Sequence, residues 1–322
     1  MSNSWSNSYV AKPDECIRIA VPNKGRLQEP TLKLLEASGI GPAYGDTETR
    51  ALVVPTSRSD VVLVFVRAKD IPSIVASGAA ELGITGYDFI VEAGANVIEE
   101  LDLGFGKAKL VLAVPVESGI EKPEDLPRGA KVATKYINIA KRFFDKIGVE
   151  VEIVRISGAA EVMPSLGAAT AIIDVMSTGT TLKLHGLKPI CVLLESSAKL
   201  VRSPRIDPYK KDVVEEVIES IKSVVHAHKV KLLLMNVPDR HLRKVIEVLP
   251  AMSGPMIARI EAPEPMWEVI TAVSIDDLSS VIVEVKKRGA RDIVVLNIET
   301  VSYTHLRAHE TSLHLVCRLL LE

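Results

Sequence analysis

The 322-residue chain has few aromatic residues and almost no excess charge of either sign. Phe, Trp and Tyr together make up 4% of the sequence, and the formal net charge at pH 7 is −2. Proteins that bind nucleic acids need a positive surface, and those that bind single strands add aromatic side chains on which bases stack. We therefore expect no nucleic-acid partner.

Cysteine is also scarce, and the sequence lacks long apolar segments. Cys16, Cys191 and Cys317 are odd in number and far apart, which favours reduced thiols over a disulfide framework or a zinc site. The longest apolar runs, such as VVLVFV at 61–66, have the length of a strand and are too short to span a membrane. Residues 1–15 have neither the basic nor the apolar region of a signal peptide. We expect them to be a flexible extension of a cytoplasmic protein without a membrane partner.

Short apolar runs alternate with helical patterns along most of the chain. Runs at 17–22, 61–67 and 83–85 predict strands, each followed by a helical segment. From Lys109 onward the same rhythm starts again, and it includes a predicted helix over 160–166. Such alternation predicts an α/β fold with a mostly parallel sheet.

The repeated rhythm predicts two lobes joined by two crossings of the chain. We assign 16–105 and 190–228 to the first lobe and 106–189 to the second, with crossings near 104–109 and Pro189. Two crossings make a hinge, and the cleft between hinged lobes is a common place for a small-molecule site. The glycines of GFGKAK at 104–109 lack the strand and helix context of a dinucleotide loop, so we assign them to this hinge.

The C-terminal part follows a different order of elements. After a predicted connecting helix at 208–228, residues 229–301 read as βαββαβ, which is typical of a ferredoxin-like domain. A domain of this kind fits either a ligand-binding regulator or an oligomerisation platform. Residues 302–322 hold three of the seven histidines without the cluster of further ligands that a metal site needs. We interpret this last segment as a non-native tail.

The segment AIIDVMSTGTTLKLHG at 171–186 joins an apolar strand, an aspartate, a hydroxyl-rich turn and a helix start. Hydroxyl groups and the free N–H groups at a helix start can together surround a phosphate dianion. An ionised aspartate at the strand end would accept hydrogen bonds from the two hydroxyls of a ribose. The alternative is that the Ser and Thr residues only cap the helix. The candidate ligands of this phosphoribosyl loop are Asp174, Ser177, Thr178, Gly179, Thr180 and Thr181.

Basic residues follow the first predicted strand. In PNKGRL at 22–27, Lys24, Gly25 and Arg26 come directly after the strand, where a cleft wall and a helix start coincide. An arginine binds two phosphate oxygens at once and a lysine adds a point charge, so this turn suits a polyphosphate. The alternative is an ordinary solvated turn.

Two further segments carry weaker signals. GITGYD at 83–88 offers Thr85, the amide of Gly86 and Asp88, which would otherwise be ordinary helix caps. Glu161, in SGAAE, would face the sugar or a metal-bound water, although a glutamate here is also favoured simply by the dipole of a helix start.

Taken together, these motifs resemble those of ATP phosphoribosyltransferases. PNKGRL, ELGITGYDFI at 81–90, DLGFGKAKL at 102–110 and the phosphoribosyl loop occur in the expected order, and the resemblance extends from about residue 17 to 301. Members of the family commonly have Cys-Arg where this chain has Ala108 and Lys109. Type I nucleobase phosphoribosyltransferases usually carry two adjacent acidic residues before the loop, whereas here Ile173 precedes Asp174.

The resemblance implies transfer of a 5-phosphoribosyl group from phosphoribosyl pyrophosphate to N1 of ATP, with release of pyrophosphate. Asp174, Lys24 and Arg26 would then be catalytic, and Glu161 would join the donor site. The implied ATP-binding residues are Lys24, Gly25, Arg26, Arg67, Thr85, Gly86 and Asp88.

The same resemblance implies a fold and several partners. The fold would be a two-lobed catalytic region of the type II periplasmic-binding-protein kind, followed by the ferredoxin-like domain. Mg²⁺ would arrive with the substrate phosphates and needs no protein cage. Histidine would act as a feedback inhibitor, and the chains would form dimers that assemble into hexamers. The alternatives are a type I nucleobase phosphoribosyltransferase and a two-lobed solute-binding protein.

Overall fold

The structure, a computed structural model, describes residues 16–43, 52–250 and 254–300. The predicted flexible extension at 1–15 and the predicted non-native tail at 302–322 lie outside these ranges. Contacts within the chain define two units, Met1–Ile218 and Glu219–Glu322. Each unit is described by itself.

The first unit consists of alternating strands and helices. Its strands, numbered along the chain, are β1 (Ile17–Pro22), β2 (Val53–Pro55), β3 (Val61–Val66), β4 (Leu82–Gly86), β5 (Ile98–Asp102), β6 (Ala108–Pro115), β7 (Ala130–Thr134), β8 (Val151–Arg155), β9 (Ala171–Met176), β10 (Leu187–Ser196) and β11 (Ala198–Arg202). The helices are α1 (Gln28–Ala37), α2 (Ile71–Ala76), α3 (Tyr87–Ala93), α4 (Ile137–Ile147), α5 (Thr180–Leu184) and α6 (Lys211–Ala227), the last of which continues into the second unit.

The strands form two sheets, which correspond to the two predicted lobes. The first has the order β2-β3-β1-β4-β11-β5 and the second β10-β6-β9-β7-β8. In each sheet three parallel strands are followed by an antiparallel strand that has just entered from the other lobe, β11 in the first and β6 in the second. This repeated order confirms the type II two-lobed α/β fold. The prediction of mostly parallel sheets is wrong, because both crossing strands and their outer neighbours are antiparallel.

The chain crosses between the sheets at 103–107 and again at Ser197. The first crossing lies where GFGKAK predicts it. The second comes later than the predicted return at Pro189, because β10 continues to Ser196 and pairs along its length with β6. Pro189 interrupts the sequence pattern of a strand, but β10 is an edge strand with a register shift after Pro189, and a proline is tolerated there. Residues 190–196 therefore belong to the second lobe.

One predicted helix of the second lobe is replaced by a single turn. Only Ala160–Val162 is helical, as a 3-10 turn, although the sequence predicts a helix over 160–166. Pro164 has no N–H group to donate to the carbonyl of Ala160, which instead accepts a hydrogen bond from the Met163 N–H at 3.0 Å.

Each sheet of the first unit is buried in its own apolar core. Ile19, Leu63 and Ile84 are fully buried in the first lobe, as are Leu112 and Ile173 in the second. The carboxyl ends of the parallel strands emerge from these cores. The buried strands therefore fix the backbone positions of the residues that follow them.

The second unit is ferredoxin-like, as predicted. Its elements are β12 (Val230–Pro238), α7 (Leu242–Ile246), β13 (Met256–Ile260), β14 (Met266–Ser274), α8 (Ile275–Lys287) and β15 (Arg291–Asn297). The strands form an antiparallel sheet in the order β13-β14-β12-β15. In the part of the chain that the structure covers, no helix has the length and apolarity needed to cross a membrane.

Candidate active site

The phosphoribosyl loop follows β9 at the carboxyl edge of the second sheet. β7 runs parallel to both β8 and β9, so the residues after these three strands gather at one edge. Asp174 lies near the end of β9 and its side chain is 23% exposed. Asp174 Oδ1 accepts a hydrogen bond from the N–H of Val175 at 2.7 Å and forms an ion pair with Lys135 Nζ at 3.2 Å. Within the described ranges, Asp174 Oδ2 receives no hydrogen bond and is available to a ligand.

The hydroxyl groups of the loop do not cap helix α5. The N-cap of α5 is Gly179, at φ +78°, and no side chain caps the helix. Ser177, Thr178, Thr180 and Thr181 are all exposed, and the one contact among their hydroxyls joins Thr178 and Thr180 at 3.0 Å. The interpretation of these residues as ordinary helix caps is therefore wrong, and the hydroxyls face solvent beside Asp174.

Glu161 lies in the 3-10 turn that follows β8, and it is half-buried. The turn begins after Ala159, which has φ +53° and is one of two non-glycine residues with positive φ in the described chain. Such a conformation is uncommon for alanine. The turn emerges at the same sheet edge as Asp174.

Lys24 and Arg67 follow neighbouring strands of the first sheet. β1 and β3 are parallel with Pro22 opposite Val66, and the N–H of Asn23 bonds to the carbonyl of Val66 at 2.8 Å. Both basic side chains are exposed. The structure thus places Lys24 and Arg67 at one sheet edge, with Gly25 exposed in the same turn at φ +85°.

Arg26 is joined to the first crossing segment. Its Nη1 donates a hydrogen bond to the carbonyl of Gly106. Its positive charge also acts on the Tyr136 phenol of the second lobe. Arg26 therefore stands at the junction of hinge and cleft, where it remains exposed to a ligand.

Thr85, Gly86 and Asp88 are buried, and the structure does not place them on the cleft surface. Thr85 Oγ1 donates to the carbonyl of Ala68 at 2.7 Å, and Asp88 is 0% exposed. Gly86 is also buried, and a Cβ there would lie 2.2 Å from Asp88 Oδ1. This interior position does not support a nucleotide contact, and the assignment of these three residues to the ATP site stays a prediction.

Asp88 joins a buried polar cluster between the two lobes. Tyr136 Oη donates to Asp88 Oδ2 at 2.6 Å, and Ser196 Oγ donates to Asp88 Oδ1 at 2.7 Å. Burial raises the pKa of the Tyr136 phenol far above its usual range; the carboxylates of Asp88 and Asp174 act in the same direction and Arg26 opposes them. Tyr136 and Ser196 were not predicted from the sequence, since nothing in their local pattern distinguishes them from core residues.

A cavity of about 640 Å³ lies between the crossing segments. Tyr87 and Asp102 line it from the first lobe, Ser177 from the phosphoribosyl loop, and Lys107 from the first crossing. Lys109 also lines the cavity, where it forms an ion pair with Glu195 at 2.9 Å. The cavity thus reaches from the hinge to the first hydroxyl of the loop.

Two family descriptions match most of the chain. The family described as HisG, ATP phosphoribosyltransferase, matches residues 67–223, and the HisG C-terminal domain matches residues 227–300. A chain of the ATP phosphoribosyl transferase (HisG:HisZ) complex from Thermotoga maritima has a similar structure, with a TM-score of 0.57 and 26% identity, over 65% of this chain and 98% of that chain.

Curated relatives align with most of the chain. ATP phosphoribosyltransferase from Ignicoccus hospitalis is 55% identical over 284 residues, which is 88% of this chain and 99% of the relative. The enzyme of the same name from Sulfurisphaera tokodaii is 50% identical over 286 residues, again 88% of this chain and 99% of the relative. The chain therefore belongs to the ATP phosphoribosyltransferase family, the transferases that catalyse the first step of histidine biosynthesis.

Proposed function

We propose that the cleft between the lobes binds phosphoribosyl pyrophosphate on the second lobe and the phosphates of ATP on the first. The observation that carries this division is that the carboxyl edges of the two sheets present different chemical groups. The edge of the second sheet presents Asp174 and the exposed hydroxyl residues of the loop, and the edge of the first presents Lys24 and Arg67. The reaction itself joins the two substrates, since the 5-phosphoribosyl group passes from the donor to N1 of ATP.

On the donor side, the free Oδ2 of Asp174 accepts hydrogen bonds from the ribose hydroxyls. Ser177, Thr178, Thr180 and Thr181 donate to the 5-phosphate together with nearby backbone N–H groups. Gly179 supports this arrangement because its positive φ turns the loop without a side chain between the hydroxyls. Glu161 approaches the same sugar from the neighbouring turn.

On the acceptor side, Lys24 and Arg67 bind the nucleotide phosphates, with Gly25 allowing a close approach of the backbone. Arg26 stands between these residues and the hinge, where it neutralises charge on the triphosphate or on the departing diphosphate. The cavity lined by Tyr87 and Lys107 accommodates the remainder of the nucleotide. Its contact with Ser177 brings this part of the nucleotide toward the donor.

The chemistry needs charge stabilisation more than proton transfer. Adenine N1 has a free lone pair, so no side chain has to remove a proton before attack. As the bond from ribose C1 to the diphosphate breaks, negative charge grows on the leaving group near Lys24 and Arg26. Holding N1 close to C1 supplies the proximity contribution.

Mg²⁺ is part of this proposal, although among the described residues no group of three or more His, Cys, Asp or Glu side chains is arranged to hold a metal. The ion we propose keeps its waters and is bound mainly by substrate phosphates. When bound, the ion neutralises charge on the diphosphate. Glu161 would contact one of its waters.

The second unit is proposed to bind histidine and to join chains into dimers and hexamers. Met256, Ile270, Leu234 and Val294 lie opposite one another across all four strands. Met256 is 61% exposed and Val294 48% exposed, so an apolar row crosses the sheet face that α7 and α8 do not cover. Burial of this row between chains would remove apolar surface from water. We propose a cytoplasmic location, since both substrates are made there.

Kinetics of two variants test the donor site. Asp174→Asn and Thr181→Ala should raise the KM for phosphoribosyl pyrophosphate by about tenfold or more, because each removes a hydrogen bond to the donor. Asp145→Asn, an exposed change on α4 of the same lobe, is the control. Pyrophosphate release is measured with ATP, donor and Mg²⁺, with and without histidine. Unchanged donor kinetics in both variants would remove the loop from the site, and turnover indifferent to histidine would remove the proposed inhibitor.

A further inference from the structure

Lys135 follows strand β7 directly beside Asp174. In the parallel pairing of β7 and β9, Thr134 lies opposite Ile173, so the next residues along each strand are neighbours. Lys135 Nζ is 3.2 Å from Asp174 Oδ1 and 5.1 Å from the centre of the Tyr136 ring. No local sequence pattern predicted a role for this lysine.

The backbone of Lys135 is fixed on both sides. Thr134 Oγ1 donates to the carbonyl of Ile173 at 2.7 Å and accepts from the N–H of Tyr136 at 3.0 Å. Thr134 is 0% exposed and Tyr136 is 1% exposed. Because both neighbours are anchored, the backbone position of Lys135 is fixed. Only the rotamers of its side chain can vary.

Stability is a poor explanation for this ion pair. The Lys135 side chain is 37% exposed, and partly exposed pairs contribute little to folding because water and salt screen them. The geometry has a more specific consequence for Asp174. Both the ammonium of Lys135 and the N–H of Val175 act on Oδ1, and this leaves Oδ2 as the oxygen without a partner in the described structure.

We propose that Lys135 is a positioning residue for the phosphoribosyl donor. It holds Asp174 Oδ1 so that Oδ2 points at the ribose hydroxyls and needs no reorientation when the donor binds. The inference rests on the proposed function, because it assumes that Asp174 binds the ribose. It goes further by naming the group that sets the orientation of this carboxylate.

A double-mutant cycle separates positioning from direct contact with a phosphate. The variants are Lys135→Met, Asp174→Asn and both together, with Lys135→Arg as the conservative replacement. Lys131→Met is the matched control, since Lys131 is an exposed lysine at the opposite end of the same strand. The measurements are KM and kcat for each substrate, together with the melting temperature.

Lys135→Met should raise the donor KM about tenfold, which corresponds to about 1.4 kcal/mol of donor binding lost when Asp174 is no longer held by its ion pair. The KM for ATP and the melting temperature should stay close to those of the wild type. In the Asp174→Asn background the same change should add less than about twofold, since the group it orients is already gone. Lys135→Arg should keep the donor KM within about threefold of the wild type, because guanidinium also donates to a carboxylate.

Three results would overturn the inference. Equal effects of Lys135→Met in the wild-type and Asp174→Asn backgrounds would mean that the lysine contacts the donor directly. If Lys135→Met leaves the donor KM unchanged while Asp174→Asn raises it, the positioning role of Lys135 is refuted and the proposed donor site is retained. If Asp174→Asn itself binds the donor normally, the donor site fails and the role of Lys135 fails with it.

Discussion

The hydroxyl of Tyr136 donates a 2.6 Å hydrogen bond to the carboxylate of Asp88, which lies in the other lobe. The bond joins the start of α4 to the first turn of α3. Near the end of α3, Glu92 accepts hydrogen bonds from the N–H groups of Asn138 and Ile139, each at 3.0 Å. The lobes are thus connected by side chains as well as by the two crossings.

Tyr136→Phe should lower the free energy of unfolding by about 1–3 kcal/mol, because Asp88 is buried and loses a hydroxyl partner. The ring contact with Phe89, at 5.9 Å between centroids, is kept in the variant, so the change isolates the hydroxyl. Chemical denaturation measures the effect. Tyr209→Phe, at a tyrosine that is 68% exposed, serves as the control and should change stability far less. Equal effects of the two substitutions would show that the bond between Tyr136 and Asp88 contributes nothing specific.

A second buried polar cluster supports the first sheet. Glu81 Oε1 accepts from Arg18 Nη2 and from Lys210 Nζ, each at 2.8 Å, and the side chains of Glu81 and Lys210 are 5% and 3% exposed. Glu81→Gln leaves the buried ammonium without its counter-charge. We expect a loss of about 3–5 kcal/mol in the free energy of unfolding at pH 7. Glu29→Gln, which breaks a fully exposed pair with Lys33, should leave stability unchanged.

The effect of Glu81→Gln should also depend on pH. Burial acts to raise the pKa of Glu81, but hydrogen bonds from Arg18 and Lys210 outweigh it and hold the pKa below its usual value. The ionised carboxylate therefore stabilises the folded state above an unfolded pKa of about 4.3, and this contribution is lost as the pH falls through the lower folded pKa. The stability gap between wild type and variant should narrow below about pH 4. A gap of constant size from pH 7 to pH 3 would contradict this account.

Local sequence patterns predicted the elements on which the site is built. Strand β9 and helix α5 are read correctly from 171–186, because their apolar run, glycine and hydroxyl residues are signals between near neighbours. The βαββαβ order of the second unit was predicted for the same reason. Such features can be predicted without knowing which residues pack against them.

Long-range contacts explain what the sequence did not reveal. Asp88 is at the start of α3 in both prediction and structure, but its burial depends on Tyr136, which is 48 residues away, and on Ser196, which is 108 residues away. Lys135 becomes a neighbour of Asp174 only through the pairing of β7 with β9. Sequence spacing carries no information on such pairs.

Gly106 in the first crossing is predicted to be sensitive to a side chain. Its φ is +63°, and a Cβ would lie 2.3 Å from Cδ2 of Leu27, which is buried. Gly104, in the same segment at φ +78°, has nothing within 4 Å of an added Cβ. Both alanine variants carry the backbone strain of positive φ, so their difference reports the clash alone.

We expect Gly106→Ala to be less stable than Gly104→Ala by about 1–3 kcal/mol, the usual cost of overpacking. It should also raise the KM for ATP, because displacement of Leu27 moves the adjacent Arg26 away from the Gly106 carbonyl. Thermal denaturation and steady-state kinetics of the two variants provide the comparison. Identical behaviour would mean that Leu27 moves aside without cost.

Gly179 and Gly186 offer a matched pair at the two ends of helix α5. Their φ values are +78° and +65°, so alanine at either position is forced into a left-handed conformation at a cost of about 1–2 kcal/mol. Gly179 lies among the hydroxyls of the phosphoribosyl loop, and an added Cβ there would lie 3.3 Å from Sδ of the flexible Met176 side chain. Gly186 lies beyond the helix and has nothing within 4 Å of an added Cβ. The two variants should therefore lose similar stability. Gly179→Ala alone should raise the donor KM, by about tenfold if one hydrogen bond to the phosphate is lost. An equal rise of the donor KM in Gly186→Ala would show that general loosening of the helix, and not the turn at Gly179, controls donor binding.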